Sequence, residues 1–87
     1  MWDVSEYFKL YDYAYEIFTN IVNDFIDRYE KEYVTDKFLS LVIGFENYLK
    51  NGYSDDVSHC AVNSALYTVC NEHDCFYLWD LYNCIDV

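Results

Sequence analysis

Apolar residues at Val4, Phe8, Tyr11, Tyr15, Phe18, Val22, Phe25 and Tyr29 are spaced 4-3-4-3-4-3-4 along the chain. A second row, Tyr7, Leu10, Ala14, Ile17 and Ile21, runs beside the first. This is the period of an α-helix, and the two rows make one broad apolar stripe. Asp12, Glu16, Asn20, Asn23, Asp27 and Glu30 fall on the opposite face, and Tyr13 lies off the stripe, pointing outward. The short run YDYAYE at 11–16 alternates as a strand would, but the wider window overrules it. The spacing predicts a first helix over about residues 3–32.

Val34-Thr35-Asp36 reads as a break, with Thr35 as N-cap. A second helix follows over about 36–50, its inward row being Phe38, Leu41/Val42, Phe45 and Tyr48/Leu49. Lys50 in its last turn and Gly52 just beyond match helix C-terminal chemistry. Gly44 sits mid-helix at a cost of about 1 kcal/mol relative to Ala, so close packing of another helix is its expected role. Because this helix alone lacks an acidic excess, it is expected to be the most buried element.

Asn51-Gly52-Tyr53-Ser54 is a loop that ends in a cap at Ser54 or Asp55. A third helix over about 55–70 carries small residues, Ala61, Ser64 and Ala65, that allow close approach. Asn71-Glu72-His73-Asp74 interrupts, and Asp74 is expected to cap a last helix at about 75–85. The alternative for this third of the chain is a hairpin, with strands at 65–70 and 75–79. The expected fold is therefore an all-α, single-domain bundle of three to four helices over 1–87 with a long first helix. The alternative is α+β with a C-terminal hairpin.

Charge changes the picture. The 87 residues hold 16 acids and 5 Lys+Arg, a formal net charge of −11. Residues 53–87 carry six acids and no Lys or Arg. Such a field repels nucleic acid and anionic membranes and attracts basic surfaces. No stretch is apolar enough to span a bilayer. The start, MWDVSEYF, lacks the basic and apolar regions of a signal peptide. A reducing cytoplasm is expected, with Cys60, Cys70, Cys75 and Cys84 as free thiols. At 22% aromatic and 54% apolar, the chain can build a core despite its charge.

Candidate chemistry is sparse. Cys60, Cys70, His73 and Cys75 are zinc-ligand types, but one Cys lies ten residues upstream and no second paired half exists. Buried apolar thiols are the expected reading, with no metal and no cofactor. Cys70 and His73 are helical neighbours, yet neither Gly is near to build an oxyanion hole. His59 reads as a solvated first-turn residue. Carboxylate pairs are plentiful, but a chain spent on its core has little room for a cleft. No enzyme is expected.

The surface remains. Asp12 and Glu16 are one helical turn apart, with side chains about 6 Å from each other. Asp27 and Glu30 continue the row. Such a row can occupy sites built for phosphates, and tyrosine adds a flat, amphipathic anchor that can lie over a guanidinium. The candidate partner-binding residues are Asp12, Tyr13, Glu16, Asp27, Glu30, Asp55, Asp56, Glu72, Asp74 and Asp80.

In overall character, small, acidic, Tyr-rich and without catalytic motifs, the chain resembles the inhibitors of phages and mobile elements. These include anti-CRISPR proteins, DNA-mimic anti-restriction proteins and the uracil-DNA glycosylase inhibitor. The resemblance implies a basic nucleic-acid-binding protein as partner, a CRISPR effector foremost, and no direct contact with nucleic acid or membrane. The rival expectation is a helical interaction module or homodimer.

The cysteine reading is checked by thiol titration of the unfolded protein and by elemental analysis. Four reactive thiols per chain and no stoichiometric zinc are expected. One zinc per chain, lost together with the fold in Cys70→Ser, is the contrary result.

Overall fold

The structure, a computed structural model, describes residues 4–25 and 31–85, with the backbone alone for 31–34. It is all-α: α1 is Val4–Phe25, α2 Lys31–Lys50, α3 Asp55–Glu72 and α4 Phe76–Cys84. No strand occurs among the described residues.

α1 buries Leu10, Ala14, Phe18 and Val22, a row four residues apart drawn from both sequence stripes. α3 buries two adjoining rows of the same period, Val57, Ala61, Ala65, Val69 and Ser58, Val62, Leu66, Cys70. Rows of this spacing form ridges that fit a neighbour's grooves, and the alanines let the two backbones approach. α1 and α3 make the largest contact in the fold. Its register shows in two side-chain bonds. The Tyr11 hydroxyl lies 2.9 Å from Thr68 Oγ1, and the Tyr15 hydroxyl donates to Glu72 Oε2 at 2.7 Å. Thr68 spends its own proton on the Ser64 carbonyl at 3.1 Å, so Tyr11 is the donor to Thr68. Both pairs are 57 residues apart, so α1 and α3 run parallel.

Parallel neighbours need a crossover, and α2 supplies it. Phe18, at 0% exposure, joins α1 to α2, its ring 6.5 Å from Phe38 and edge-on to Phe45 at 5.6 Å. α4 returns over α3. Trp79 Nε1 donates to Asn63 Oδ1 at 2.6 Å, and Asn63 Nδ2 donates to Asn83 Oδ1 at 3.2 Å.

Several boundaries differ from the sequence reading. Val34-Thr35-Asp36 is not a break but lies inside α2, which already begins at Lys31. Thr35 is therefore no N-cap. β-Branched residues cost a helix only a few tenths of a kcal/mol, and no Pro is present to stop one. Lys31 and Glu32 belong to α2 rather than to the first helix. The most buried helix is α3, not α2. The better signal was the uncharged stretch Val57–Asn71 rather than charge balance.

Gly44 has nothing within 4 Å of where a Cβ would stand and is exposed, so no helix packs on it. Val4 and Phe8, expected on the inward stripe, are 60% and 57% exposed. The hairpin alternative fails: 65–70 lies in α3 and 76–79 in α4.

The capping details also divide. Ser54 caps α3 as expected, accepting from the Val57 N–H at 3.2 Å. Asp74 does not cap α4. With φ 56° it is the left-handed residue that ends α3, and the Cys75 N–H reaches back to the Cys70 carbonyl at 2.9 Å. This is a Schellman closure with Asp where Gly is usual. Cys75 takes the α4 N-cap position and makes no side-chain capping bond.

Two substitutions test this packing by thermal or denaturant unfolding. Gly44→Ala is expected to stabilise the protein by up to about 1 kcal/mol, because the site is helical, exposed and open. Phe18→Ala is expected to cost about 3–5 kcal/mol. A destabilising Gly44→Ala is the contrary result and points to a hidden close contact.

Candidate partner-binding surface

The predicted acids scatter over the fold and have different surroundings. Asp27 and Glu30 lie outside the described residues, so the acidic row is seen only at Asp12 and Glu16. These two are exposed on α1, and neither is ion-paired or hydrogen-bonded among the described residues. Asp55 and Asp56 sit in the first turn of α3, where carboxylates stabilise the helix end by about 0.3–1 kcal/mol. Glu72 holds Tyr15, Asp74 closes α3, and Asp80 is exposed on α4. The structure thus leaves Asp12 and Glu16 as the adjacent pair with no structural employment.

The two acids border a groove of about 450 Å³ between α1 and the end of α2. Lys9, Leu10 and Tyr13 line it from α1; Tyr48, Leu49 and Tyr53 close the other side. Leu10 and Leu49 are buried, each 3% exposed, and form an apolar floor. Tyr13 is outward as predicted, 51% exposed, but its inner face stacks on Phe45 at 5.5 Å. Tyr48 is 67% exposed. Tyr53 is held through its N–H, which donates to the Leu49 carbonyl at 2.9 Å. Tyr48 and Tyr53 were missed in the sequence. The row was ambiguous at Tyr48/Leu49, and nothing in the loop marked Tyr53.

A second concavity of about 430 Å³ is lined by Glu46, Lys50, Asp55, Asp56, His59 and Tyr82, among others. Glu46 is only 4% exposed. Its carboxylate accepts a hydrogen bond from the Tyr82 hydroxyl and meets Lys50 Nζ at 3.0 Å and His59 Nδ1 at 3.4 Å. His59 is therefore not a purely solvated residue: it also stacks on Tyr82 at 6.0 Å. The Glu46–Lys50 spacing of one turn was the available signal. With its lone pairs taken by three partners, Glu46 ties α2 to α3 and α4.

The zinc-ligand types weighed in the sequence, Cys60, Cys70, His73 and Cys75, do not form a ligand set in the fold. No group of three His, Cys, Asp or Glu side chains able to hold a metal occurs among the described residues. Cys70 and Cys75 are buried against each other at the Schellman closure. The hydrogen bond between them pushes the Cys70 thiol up, reinforced by burial, and draws Cys75 down. No described helix is long and apolar enough to cross a membrane.

Tyr15 is one of two described phenols shifted upward. Its bond to Glu72 raises it above the ordinary 10.0, with burial and the carboxylate charge adding to the effect. Tyr77 is also raised, first by burial. The folded value of Tyr15 lies above the unfolded one. Its tie to Glu72 therefore contributes fully below pH about 10 and is lost as pH rises through the folded value. Tyr15→Phe is expected to remove one late-ionising phenol from the ultraviolet titration and to flatten the alkaline loss of stability. An unchanged alkaline melting curve is the contrary result.

The chain matches no protein-family model, no curated protein and no solved structure, so its own surface chemistry carries the functional reading.

Proposed function

We propose that this protein is a stoichiometric inhibitor that binds the basic, nucleic-acid-gripping surface of a protein partner and occludes it. A CRISPR effector, met in the cytoplasm of a host cell, is the partner class that the resemblance in composition implies. The observation that carries the reading is the pair Asp12 and Glu16, exposed, without ion pairs among the described residues and sharing a groove with Tyr13, Tyr48 and Tyr53. Adjacent carboxylates on a rigid helix compete for the Lys and Arg that bind phosphates, and exposed tyrosines anchor at small entropic cost. The net charge of −11 adds long-range attraction to any basic groove.

A second reading, a helical interaction module or homodimer, is favoured by the exposed apolar side chains. Tyr67, Phe76 and Trp79 form an aromatic cluster with centroids 5.0–5.3 Å apart, and Phe8 stands out from the start of α1. The two readings differ in salt response. A charge-driven complex weakens steeply between about 0.05 and 0.3 M salt, whereas an apolar dimer is nearly indifferent.

The test is an interference assay. Cells with active CRISPR immunity, each carrying one DNA- or RNA-targeting effector, are challenged with a targeted phage while expressing this chain. Restored plaquing with at least one effector is expected. The double variant Asp12→Lys/Glu16→Lys is expected to lose it while melting no lower than the parent, a binding loss of about 2–5 kcal/mol if the pairs are desolvated. Absence of inhibition with every effector overturns the CRISPR assignment. Inhibition that survives the double reversal overturns the acidic face as the contact.

A further inference from the structure

We infer that the groove between α1 and the end of α2 is a receptor for one arginine side chain of the partner. The inference rests on the basic-partner reading for the source of the arginine, and on the groove itself for the choice of arginine.

The groove's size, about 450 Å³, falls within the range of about 300–1,000 Å³ for formed ligand pockets. Its chemistry is that of a cation site. Two carboxylates one turn apart, Asp12 and Glu16, lie on one edge with their oxygens unclaimed by other side chains among the described residues. Three phenol rings, Tyr13, Tyr48 and Tyr53, line the remainder. An anionic ligand would meet two like charges and a single cation, Lys9, so phosphate and carboxylate groups are disfavoured.

Between the two cationic side chains, the geometry selects arginine. A guanidinium is planar, is weakly hydrated and has five donors in a fork. It can bridge two carboxylates while lying on an aromatic face. An ammonium is a strongly hydrated point charge that gains less from flat walls. The Tyr13 wall is also set in advance: its stacking on Phe45 at 5.5 Å and 26° fixes the ring before a ligand arrives.

Charge complementarity also decides whose arginine it is. This chain has one arginine, Arg28, and a net charge of −11, so a second copy would bring strong like-charge repulsion. A basic protein surface brings the reverse. Lys9 is the competitor within the groove. It lies three residues before Asp12 on the same helix and reduces the field that an incoming arginine meets.

The test uses blocked amino acids in place of the partner. N-acetyl-arginine amide, N-acetyl-lysine amide and the uncharged N-acetyl-citrulline amide are titrated into the labelled protein at low salt, followed by amide NMR shifts. Saturable shifts confined to residues around 9–16 and 48–53 are expected for arginine, at least about threefold tighter than lysine, with no saturation by citrulline. Asp12→Asn with Glu16→Gln is expected to abolish saturation and Tyr48→Ala to weaken it. Lys9→Ala is expected to tighten arginine binding by about threefold, the sign that only a cation site gives. The dispersion of each variant's spectrum verifies its fold.

Equal binding of lysine and arginine, shifts spread evenly over Asp55, Asp56 and Asp80 as well, or weaker binding in Lys9→Ala overturns the receptor. The outcome separates from the interference assay. Arginine binding without any inhibition leaves the groove standing and removes the partner class. Inhibition without a saturable arginine site removes the groove and leaves the inhibitor.

Discussion

The parallel seam between α1 and α3 is the contact on which the rest of this molecule depends. Ala14 on one side and Ala61 and Ala65 on the other are all fully buried, so the two backbones approach over a narrow, apolar strip. Larger residues, Phe18 and Leu66, fill the space beside it. An apolar strip alone sets register weakly, because neighbouring ridges of one period can slip by a turn. Tyr11 and Tyr15 remove that freedom. Their hydroxyls meet Thr68 and Glu72, partners with the same one-turn spacing, and a one-turn slip would leave one of the two phenols without either partner. The run YDYAYE thus has a division of labour. Two of its tyrosines set the register of the fold, the alanine packs the seam, and Asp12, Tyr13 and Glu16 turn outward.

A chain with a net charge of −11 must place its carboxylates where repulsion is small or offset. The structure shows three such solutions. Glu46 is buried but meets Lys50, His59 and Tyr82. Glu72 accepts a hydrogen bond from the Tyr15 hydroxyl. Asp55 and Asp56 lie against the positive end of the α3 dipole. Phenols are the common device here, since tyrosine brings a donor without the basic charge that the sequence so rarely supplies. Asp12 and Glu16 use none of these solutions, and they do so as a pair one helical turn apart, facing a groove. Among the described residues neither makes an ion pair or hydrogen bond, and Lys9 is the one cation in their groove.

The legibility of this fold follows from which forces leave a pattern. Long amphipathic periodicity does, so the helical class, the presence of a long first helix and the outward face with Asp12, Tyr13 and Glu16 could be read directly, though not where that helix ends. Burial of the third helix could be read from Ala61, Ala65 and the missing charges, but charge balance pointed to α2 instead. Local conformation left weaker marks. Thr35 is a good cap residue that here sits inside a helix, because tertiary packing of Phe38 and Val42 outweighs a preference of a few tenths of a kcal/mol. Asp74 is both a cap and a left-handed residue by type, and only the chain's path decides between them. The second half of the candidate site was not legible at all. Tyr48 and Tyr53 share a groove with the α1 acids only because α2 runs back antiparallel beside α1, a fact of topology rather than of spacing.

The same seam explains why a groove exists beside those acids. α1 spends its fully buried row on α3, so its contact with α2 is much the smaller one. That contact is held by the aromatic contacts of Phe18, Phe38, Phe45 and Tyr13 and by the Leu10 and Leu49 floor. Toward the start of α1 and the end of α2 the two helices share no further large buried pair, and the space between them fills with half-exposed rings instead. A short α2–α3 loop keeps it open, because Gly52 and Tyr53 are bonded back to Leu49 and cannot fold across it. The floor is therefore fixed by the core and the rings by local contacts, while the carboxylates at its edge take no part in folding. A surface that the fold does not need can change its charges without unfolding the protein, so the character of this groove is set by Asp12 and Glu16 independently of the core.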